Sequence, residues 1–597
     1  MPVKKTRFQQ RHWDAAAEFI LGEYRRRKND KNRAEKERIW DEVDRQVEMR
    51  PKPRRKVEFE RKSGWFPDTE LPLQATALEV LQADARRLTF PRNSEWYLPH
   101  SEISDDFVNK FQERRETHPM IGDEAQPMKL DQETADVLVK ATIDHFHTLF
   151  NFRDAIDFND VEALKYGTYV GRIVEAQQPV FTSDFRGVSS TKRVGPAVIP
   201  VSVRNHYLDD SPQAVMMEGV AISPADIREY WQRRDDLVVA AKSESKGWIG
   251  SQVARIELKD PAQPIHMLEF EGDLVIPRSK DHLFLPNSVV TVAIGEGGPR
   301  VVRFRENKNG FRSYYSGVYA KENLKSPYGT SPLMKGQPIQ ELATLMANSL
   351  AASVALSAQP PGLWDATDSQ LTANGGPVLE PNAMTPADDP DRSVNILREW
   401  NISDTGIALQ LLLSQYEDIT GVTAPRRGAQ TKSHTTAFAV DVENTRGLVR
   451  TDDYVQAKEN GPLRSILHRE YAIIKKTMAS TPVYIGTGGI EGFVNISKED
   501  LPDNVTFEVI GSAGPATERE RAERRQAALQ GAAAMSEMSA QQGGPVLNFA
   551  EAMKETLGEA FANPDRFITT PDGQPNAAPG VGGVPGGLAM VQDQGTQ

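Results

Sequence analysis

The sequence predicts an α+β chain of several domains, and three observations predict it. At 597 residues, 39% hydrophobic and 26% charged, the chain has the length for roughly three to five cores of ordinary globular size. Strand-like runs, β-branched and closed by glycines, gather between residues 194 and 298. After residue 336, apolar residues recur instead at the three- and four-residue spacing of helices. No internal repeat is visible.

Residues 1–56 read as a basic, polar arm. Arg25, Arg26, Arg27 and Lys28, with alternating charges through Arg38, permit a helix, and Phe19, Ile20, Ile39, Trp40 and Val43 are sparse apolar anchors. A solvated extension fits the same pattern, and both readings stay open. Pro51 and Pro53 end the segment.

From about residue 60 to 330 the pattern is mixed. A helix is predicted over Glu133–His147, striped by Ala135, Val137, Leu138, Ala141 and Phe146 and N-capped by Asp131. A second covers Asp160–Tyr166, stops at Gly167 and leads into a strand over Tyr169–Ala176. Strands follow at Val198–Val203 and Leu283–Ile294, the latter closed by the Gly-Glu-Gly-Gly run from Gly295 to Gly298. Between them, Pro224–Ala241 reads as an amphipathic helix with Ser223 as N-cap and Pro224 in its first turn.

The later elements are more regular. Pro338–Ala358 is predicted helical, with Ile339, Leu342, Leu345, Met346, Leu350 and Val354 on a stripe and small residues elsewhere, which suits close packing on several helices. Pro360, Pro361 and Gly362 stop it, and a loop-rich segment runs to about Asn401. A helix over Asp404–Thr420 ends at Gly421, a suitable C′ residue. A polar, basic loop over Val422–Thr435 leads into a long helix over Thr436–Met478, kinked near Gly461 and Pro462. Short strands at Val483–Ile485 and Val505–Ile510 precede Ala-rich helices at Thr517–Met538 and Phe549–Phe561. The last ~30 residues are a Gly- and Pro-rich tail expected to lack structure.

Composition bounds function. The chain has no cysteine, which excludes disulfide scaffolds and zinc ribbons and fits a reducing cytoplasm. The charged N-terminus lacks an apolar core, so no secretory signal is read there, and no run approaches the ~18 apolar residues of a membrane span. A soluble chain without a membrane partner is expected. Net charge is −12, yet residues 1–62 carry 20 Lys/Arg against 12 Asp/Glu, leaving −20 on the rest. A protein gripping DNA over its whole surface would be basic; any DNA contact here must be local.

Motifs for catalysis are missing. No Gly-rich loop ends in Gly-Lys-Ser/Thr, and neither Gly-x-Ser-x-Gly nor His-Glu-x-x-His occurs. His145 and His147, two residues apart on a helix, fall on different faces and are not expected to share a metal; no cofactor or metal is predicted. The run Gly486, Thr487, Gly488, Gly489 reads as a β-turn, since no helix start follows it. The candidate nucleic-acid element is the basic loop: Arg426, Arg427, Lys432 and His434 lie within nine residues and no aromatic accompanies them. That pattern favours phosphate contact over base readout; a solvated interhelical loop is the competing reading.

Five stretches carry a resemblance. Asp160 to Val170 joins a helix to a Tyr-Gly-Thr strand entry, with Tyr169 where glycine is more usual; Val203 to Asp210 is a strand-to-Asp segment. Tyr328 to Pro332 (Tyr-Gly-Thr-Ser-Pro) opens a helix, Ile419 to Val422 closes one, and Thr431 to Asn444 is a Thr-rich loop running into a long helix. In this order they resemble the portal, or head-to-tail connector, proteins of tailed bacteriophages over roughly residues 70–560.

The resemblance implies a non-enzymatic subunit of a closed ring, a homo-oligomer of about twelve copies, forming the DNA channel at one capsid vertex of the virion after assembly in the host cytoplasm. It divides the chain into the arm (1–56), a mixed α/β wing (57–335), a first stem helix (336–358) and a clip (359–403). Then follow a second stem helix (404–420), a tunnel loop (421–436), a long helix with returning wing strands (437–515), an α-helical crown (516–563) and the tail (564–597). Nothing is carried over to the arm. The implied partners are double-stranded DNA at Arg426, Arg427, Lys432 and His434, and terminase and later a tail adaptor at the clip. There Trp364, Asp365, Asp368 and Gln370 are the candidate docking residues. The major capsid protein or a scaffold is a further implied partner. Two other readings remain: a DNA-processing enzyme with a dispersed site, and another internal virion structural protein.

Overall fold

A computed structural model describes residues 12–52, 68–91, 95–117, 130–184, 187–209, 215–217, 220–222, 225–242, 247–258, 260, 262–276, 283–307, 309–322, 326–358, 362–365, 367–373, 375, 388–389, 394–396, 402–424, 426–427, 437–487 and 490–511. Contacts divide the chain into two units, residues 1–514 and 515–597. The second unit, with the expected crown helices and tail, lies outside the described residues.

The first unit is α+β. In chain order it opens with α1 (Trp13–Lys28), α2 (Lys31–Val47), α3 (Leu73–Thr89), β1 (Tyr97–Glu102), α4 (Asp105–Thr117), α5 (Gln132–Leu149) and α6 (Phe152–Tyr166). A long hairpin follows, β2 (Thr168–Asp184) with β3 (Gly187–Val201), then β4 (His206–Tyr207), β5 (Val215–Met217), β6 (Val220–Ile222), β7 (Asp226–Gln232), α7 (Arg234–Ala241) and α8 (Gly250–Val253). Next come β8 (Ile265–Ile276), β9 (Leu283–Gly295), β10 (Gly298–Glu306) and β11 (Tyr314–Val318). The helical part comprises α9 (Pro332–Ala358), α10 (Ser369–Ala373) between β12 (Gly362–Trp364) and β13 (Val394–Ile396), then α11 (Ile402–Thr420) and α12 (Ala437–Lys458). A π-helical turn (Glu459–Leu463) joins α12 to α13 (Arg464–Thr477), and β14 (Thr481–Thr487), β15 (Ile490–Ile496) and β16 (Asn504–Val509) close the unit.

Strands β10-β9-β8-β7-β4 form a five-stranded antiparallel sheet, and β11-β2-β3 a three-stranded one. Much of this follows from local chemistry. Asp131 caps α5 by accepting the Thr134 N–H at 2.8 Å. Gly167 ends α6 at φ +70°, and a Cβ there would meet the Gly329 and Thr330 backbone at 2.7 Å, so only glycine fits. At that contact the two Tyr-Gly-Thr segments touch: the Gly329 N–H donates to Thr168 Oγ1 at 2.8 Å.

One helix differs from expectation. Residues 226–232 are a sheet strand, β7, and only Arg234–Ala241 is helical. The spacing of Ile227, Tyr230 and Leu237 suits a helix, but pairing with β8 and β4 overrides it and sends Ile227 and Tyr230 to opposite faces of the sheet. The expected cap, Ser223 and Pro224, lies outside the described residues. Helix α9 also starts six residues before Pro338, because Ser331 Oγ accepts the Met334 N–H at 3.1 Å as an N-cap with Pro332 in the first turn.

The described part of the arm, residues 12–52, is largely helical and packed. Ala16, Ala17, Ile20, Leu21 and Tyr24 of α1 join the core of the five-stranded sheet, and Trp40 and Val43 of α2 join that of α3, α6, α9 and α11. Its charge is used internally. Arg33 is fully buried and donates to the carbonyls of Val203 (3.0 Å), Arg204 (2.9 Å) and His206 (3.1 Å) and to the Tyr328 hydroxyl (2.9 Å). Its guanidinium lies over the rings of Trp40, Tyr207 and Tyr328 at 4.8, 4.9 and 5.0 Å. From the other side, Glu162 accepts the Val203 N–H at 2.9 Å, and burial raises its carboxyl to about pH 7. The turn at 203–206 is thus held between a cation and a carboxyl.

Candidate functional site

The loop after α11 starts where the helix must stop. Gly421 adopts φ +72° and donates its N–H to Glu417 O at 2.8 Å, a left-handed C′ residue as predicted. Three arginines then converge on this helix end. Arg450, on α12, donates to the carbonyls of Asp418 (2.8 Å) and Ile419 (2.5 Å). Arg426 donates to the carbonyls of Gly421 and Gly447 and pairs with the Asp84 carboxylate on α3. Arg427 pairs with Glu417, one turn inside the helix. Cations at a helix C-terminus meet unpaired carbonyls and the negative end of the dipole.

This changes the expectation for the loop. The Arg426 side chain is only 5% exposed, and it cross-links α3, α11 and α12 instead of facing outward. Arg427 is part-exposed at 29% and shares one carboxylate. Lys432 and His434 lie outside the described residues. The missed signal was positional: basic residues just past a predicted C′ glycine are cap candidates before they are ligand candidates.

The insert between α9 and α11 carries β12, α10 and β13, with Gly362–Trp364 paired to Val394–Ile396. Asp368 accepts the N–H groups of Gln370, Leu371 and Asp388 at 3.0, 3.0 and 2.9 Å. Asp365 accepts from the Thr367 N–H and hydroxyl, which hold its carboxyl below the usual range. These two aspartates therefore shape the insert. Gln370 exposes its side chain; that of Trp364 lies outside the described residues.

Helices α9 and α11 run antiparallel: Gly336 near the start of one meets Tyr416 and Thr420 near the end of the other, where a Cβ would approach the Tyr416 ring to 2.8 Å. The faces of α9 are used differently from the expectation. Gln340, Ala343, Thr344, Asn348 and Ala352 turn into the chain's own packing, and Gln340 and Asn348 hydrogen-bond residues 69–74. Leu342, Leu345 and Val354 on α9, and Ile407 and Leu411 on α11, are 43–64% exposed.

The histidines near the end of α5 enter separate networks. His145 bonds Arg193 at 2.8 Å, with burial and then that cation lowering its pKa. His147 bonds Glu470 at 2.9 Å and stacks on Phe152. Among the described residues no cluster of three His, Cys, Asp or Glu could hold a metal ion, and no helix is long and apolar enough to cross a membrane. Among the described residues the most buried ion pair is Lys458 with Asp160 at 2.8 Å, joined by the Tyr454 and Thr89 hydroxyls. In comparison with known proteins, no family model and no curated protein matches this chain.

Proposed function

We propose that this chain is a portal subunit: a structural, non-catalytic protein that closes into a ring at one capsid vertex of a tailed phage and passes DNA through its centre. The observation that carries this reading is the antiparallel pair α9 and α11, joined through a small stranded insert, with Leu342 and Leu345 on one helix and Ile407 and Leu411 on the other 43–64% exposed. Exposed apolar side chains on two adjacent helices suit a ring, in which the next copy covers them. The order of the motif stretches supports the same reading, and the contact between the two Tyr-Gly-Thr segments gives them a shared structural reason.

In this reading the helix pair is the stem, the insert is the clip that meets terminase and then the tail adaptor, and the loop after α11 faces DNA. Arg427, Lys432 and His434 are the proposed phosphate contacts, while Arg426 anchors the loop. An acidic body with a few cations per subunit suits a channel in which DNA must slide, because every neutralised phosphate deepens the trap.

Negative-stain electron microscopy of the purified full chain tests this. Rings with a central hole are expected. Leu345→Asp with Leu411→Asp should abolish them while circular dichroism stays unchanged, since each leucine has on the order of 1 kcal/mol still to gain from burial. A monomer under every assembly condition, or rings indifferent to both substitutions, would refute the reading.

A further inference from the structure

Helix α13 begins a cleft of about 410 Å³ lined by Phe311, Gly461, Arg464, Ser465, His468 and Arg469. None of these residues is acidic, in a chain with twelve more carboxylates than Lys and Arg together. The cations are arranged in two ways. Arg469 is fixed: it donates to the carbonyls of Arg312 (3.1 Å) and Tyr314 (2.8 Å), lies 6.0 Å over the Phe311 ring, and feels Asp226 and Glu271 behind it. Arg464 and His468, one turn apart, are exposed on the same helix face. No hydrogen bond or ion pair engages Arg464 within the described residues. Burial and then the Arg464 charge lower the pKa of His468, which favours its neutral ring, a donor through one N–H. The π-helical turn helps to shape the opening: at Gly461 a Cβ would meet nothing within 4 Å.

We propose that this cleft binds a phosphate group, held by the guanidinium of Arg464 with Ser465 and His468 as further donors, while Phe311 offers an apolar face to whatever carries the phosphate. Arginine suits this role because its fork of donors matches phosphate oxygens and stays charged. Serine and histidine add short donors on the same helix face. The proposal concerns one subunit's own cleft and stands without the channel reading. A DNA backbone and a free phosphate-bearing small molecule share this chemistry.

The test is equilibrium dialysis of the full chain with labelled inorganic phosphate, followed by competition with a mononucleotide and, separately, with a short DNA duplex. Saturable phosphate binding is expected, with Arg464→Ala weakening it about tenfold, the loss of one charge-assisted hydrogen bond, and Arg38→Ala leaving it unchanged. If Arg464→Ala fails to fold, Gly461→Leu decides, because Gly461 lines the cleft, has room for a Cβ, and its replacement adds bulk without removing charge. Competition by duplex assigns the backbone as the source; competition by the mononucleotide alone assigns a small molecule. Absence of saturable binding by phosphate, nucleotide and duplex overturns the proposal, and so does binding that Arg464→Ala leaves intact in a folded chain.

Discussion

Replacing Arg426 by alanine removes a guanidinium that is 5% exposed from a carboxylate, Asp84, that is 18% exposed. It also strips the donors from the carbonyls of Gly421 and Gly447, where α11 ends and α12 passes. Breaking a buried ion pair by deleting one partner costs about 3–5 kcal/mol, because the other charge stays behind without compensation. Asp84 keeps some access to water, so the lower end applies, about 3 kcal/mol. Arg427 shares a part-exposed pair with Glu417, a geometry that contributes about 0–1 kcal/mol. Urea unfolding of both single variants separates these expectations. A double-mutant cycle with Asp84→Ala should show the second substitution costing much less than the first, a coupling of about 1–3 kcal/mol. Equal, small losses for both arginines, without coupling to Asp84, would refute the anchoring role and return Arg426 to the solvent-facing loop.

Other outcomes follow from the buried polar groups. Arg33→Ala leaves three carbonyls and the Tyr328 hydroxyl without their donor. It should cost about 3–5 kcal/mol and make the arm the first site of limited proteolysis; an arm as resistant as before would contradict it. Arg33→Lys should not rescue, since an ammonium cannot reach these acceptors and three rings together. Glu162, raised to about 7 from an ordinary 4.5, contributes stability that is present below pH ~4.5 and lost as pH rises through about 7. Glu162→Gln keeps an acceptor for the Val203 N–H and should flatten that part of the profile, gaining up to about 3 kcal/mol on the parent chain above pH 7. Parallel pH–stability curves for the two proteins would show that the carboxyl is not so shifted.

What the sequence made legible was local. The Asp131 cap, the Gly421 stop, the break near Gly461 and Pro462 and the β-branched run at 283–294 each depend on neighbours within a few positions. What it hid was distant. Strand β16 pairs with β1 across the whole unit, Tyr97 opposite Val509, and no local pattern reports such a partner. Arg33 looked like one more charge on a polar helix, because its acceptors lie at 203–206 and 328. Tertiary contact likewise took 226–232 from helix to strand and Arg426 from loop surface to interior.

The wide turn at Glu459–Leu463 has a consequence for how this sequence can change. Before it, Tyr454, Val455 and Lys458 point inward; from its last residue onward, Leu463, Ile466, Leu467, Glu470 and Ile474 do. A continuous α-helix advances about 100° per residue, and the π turn takes up the extra residue that would otherwise put these two faces out of phase. Deleting one residue there would give a regular α-helix with both inward faces still in phase, whereas inserting one, or deleting two, would roll Arg464 and His468 away from their present aspect and drive polar groups into the core. Chain length can therefore change here by the loss of one residue without a change of helical phase, and any other insertion or deletion among related chains at 459–463 would mark one.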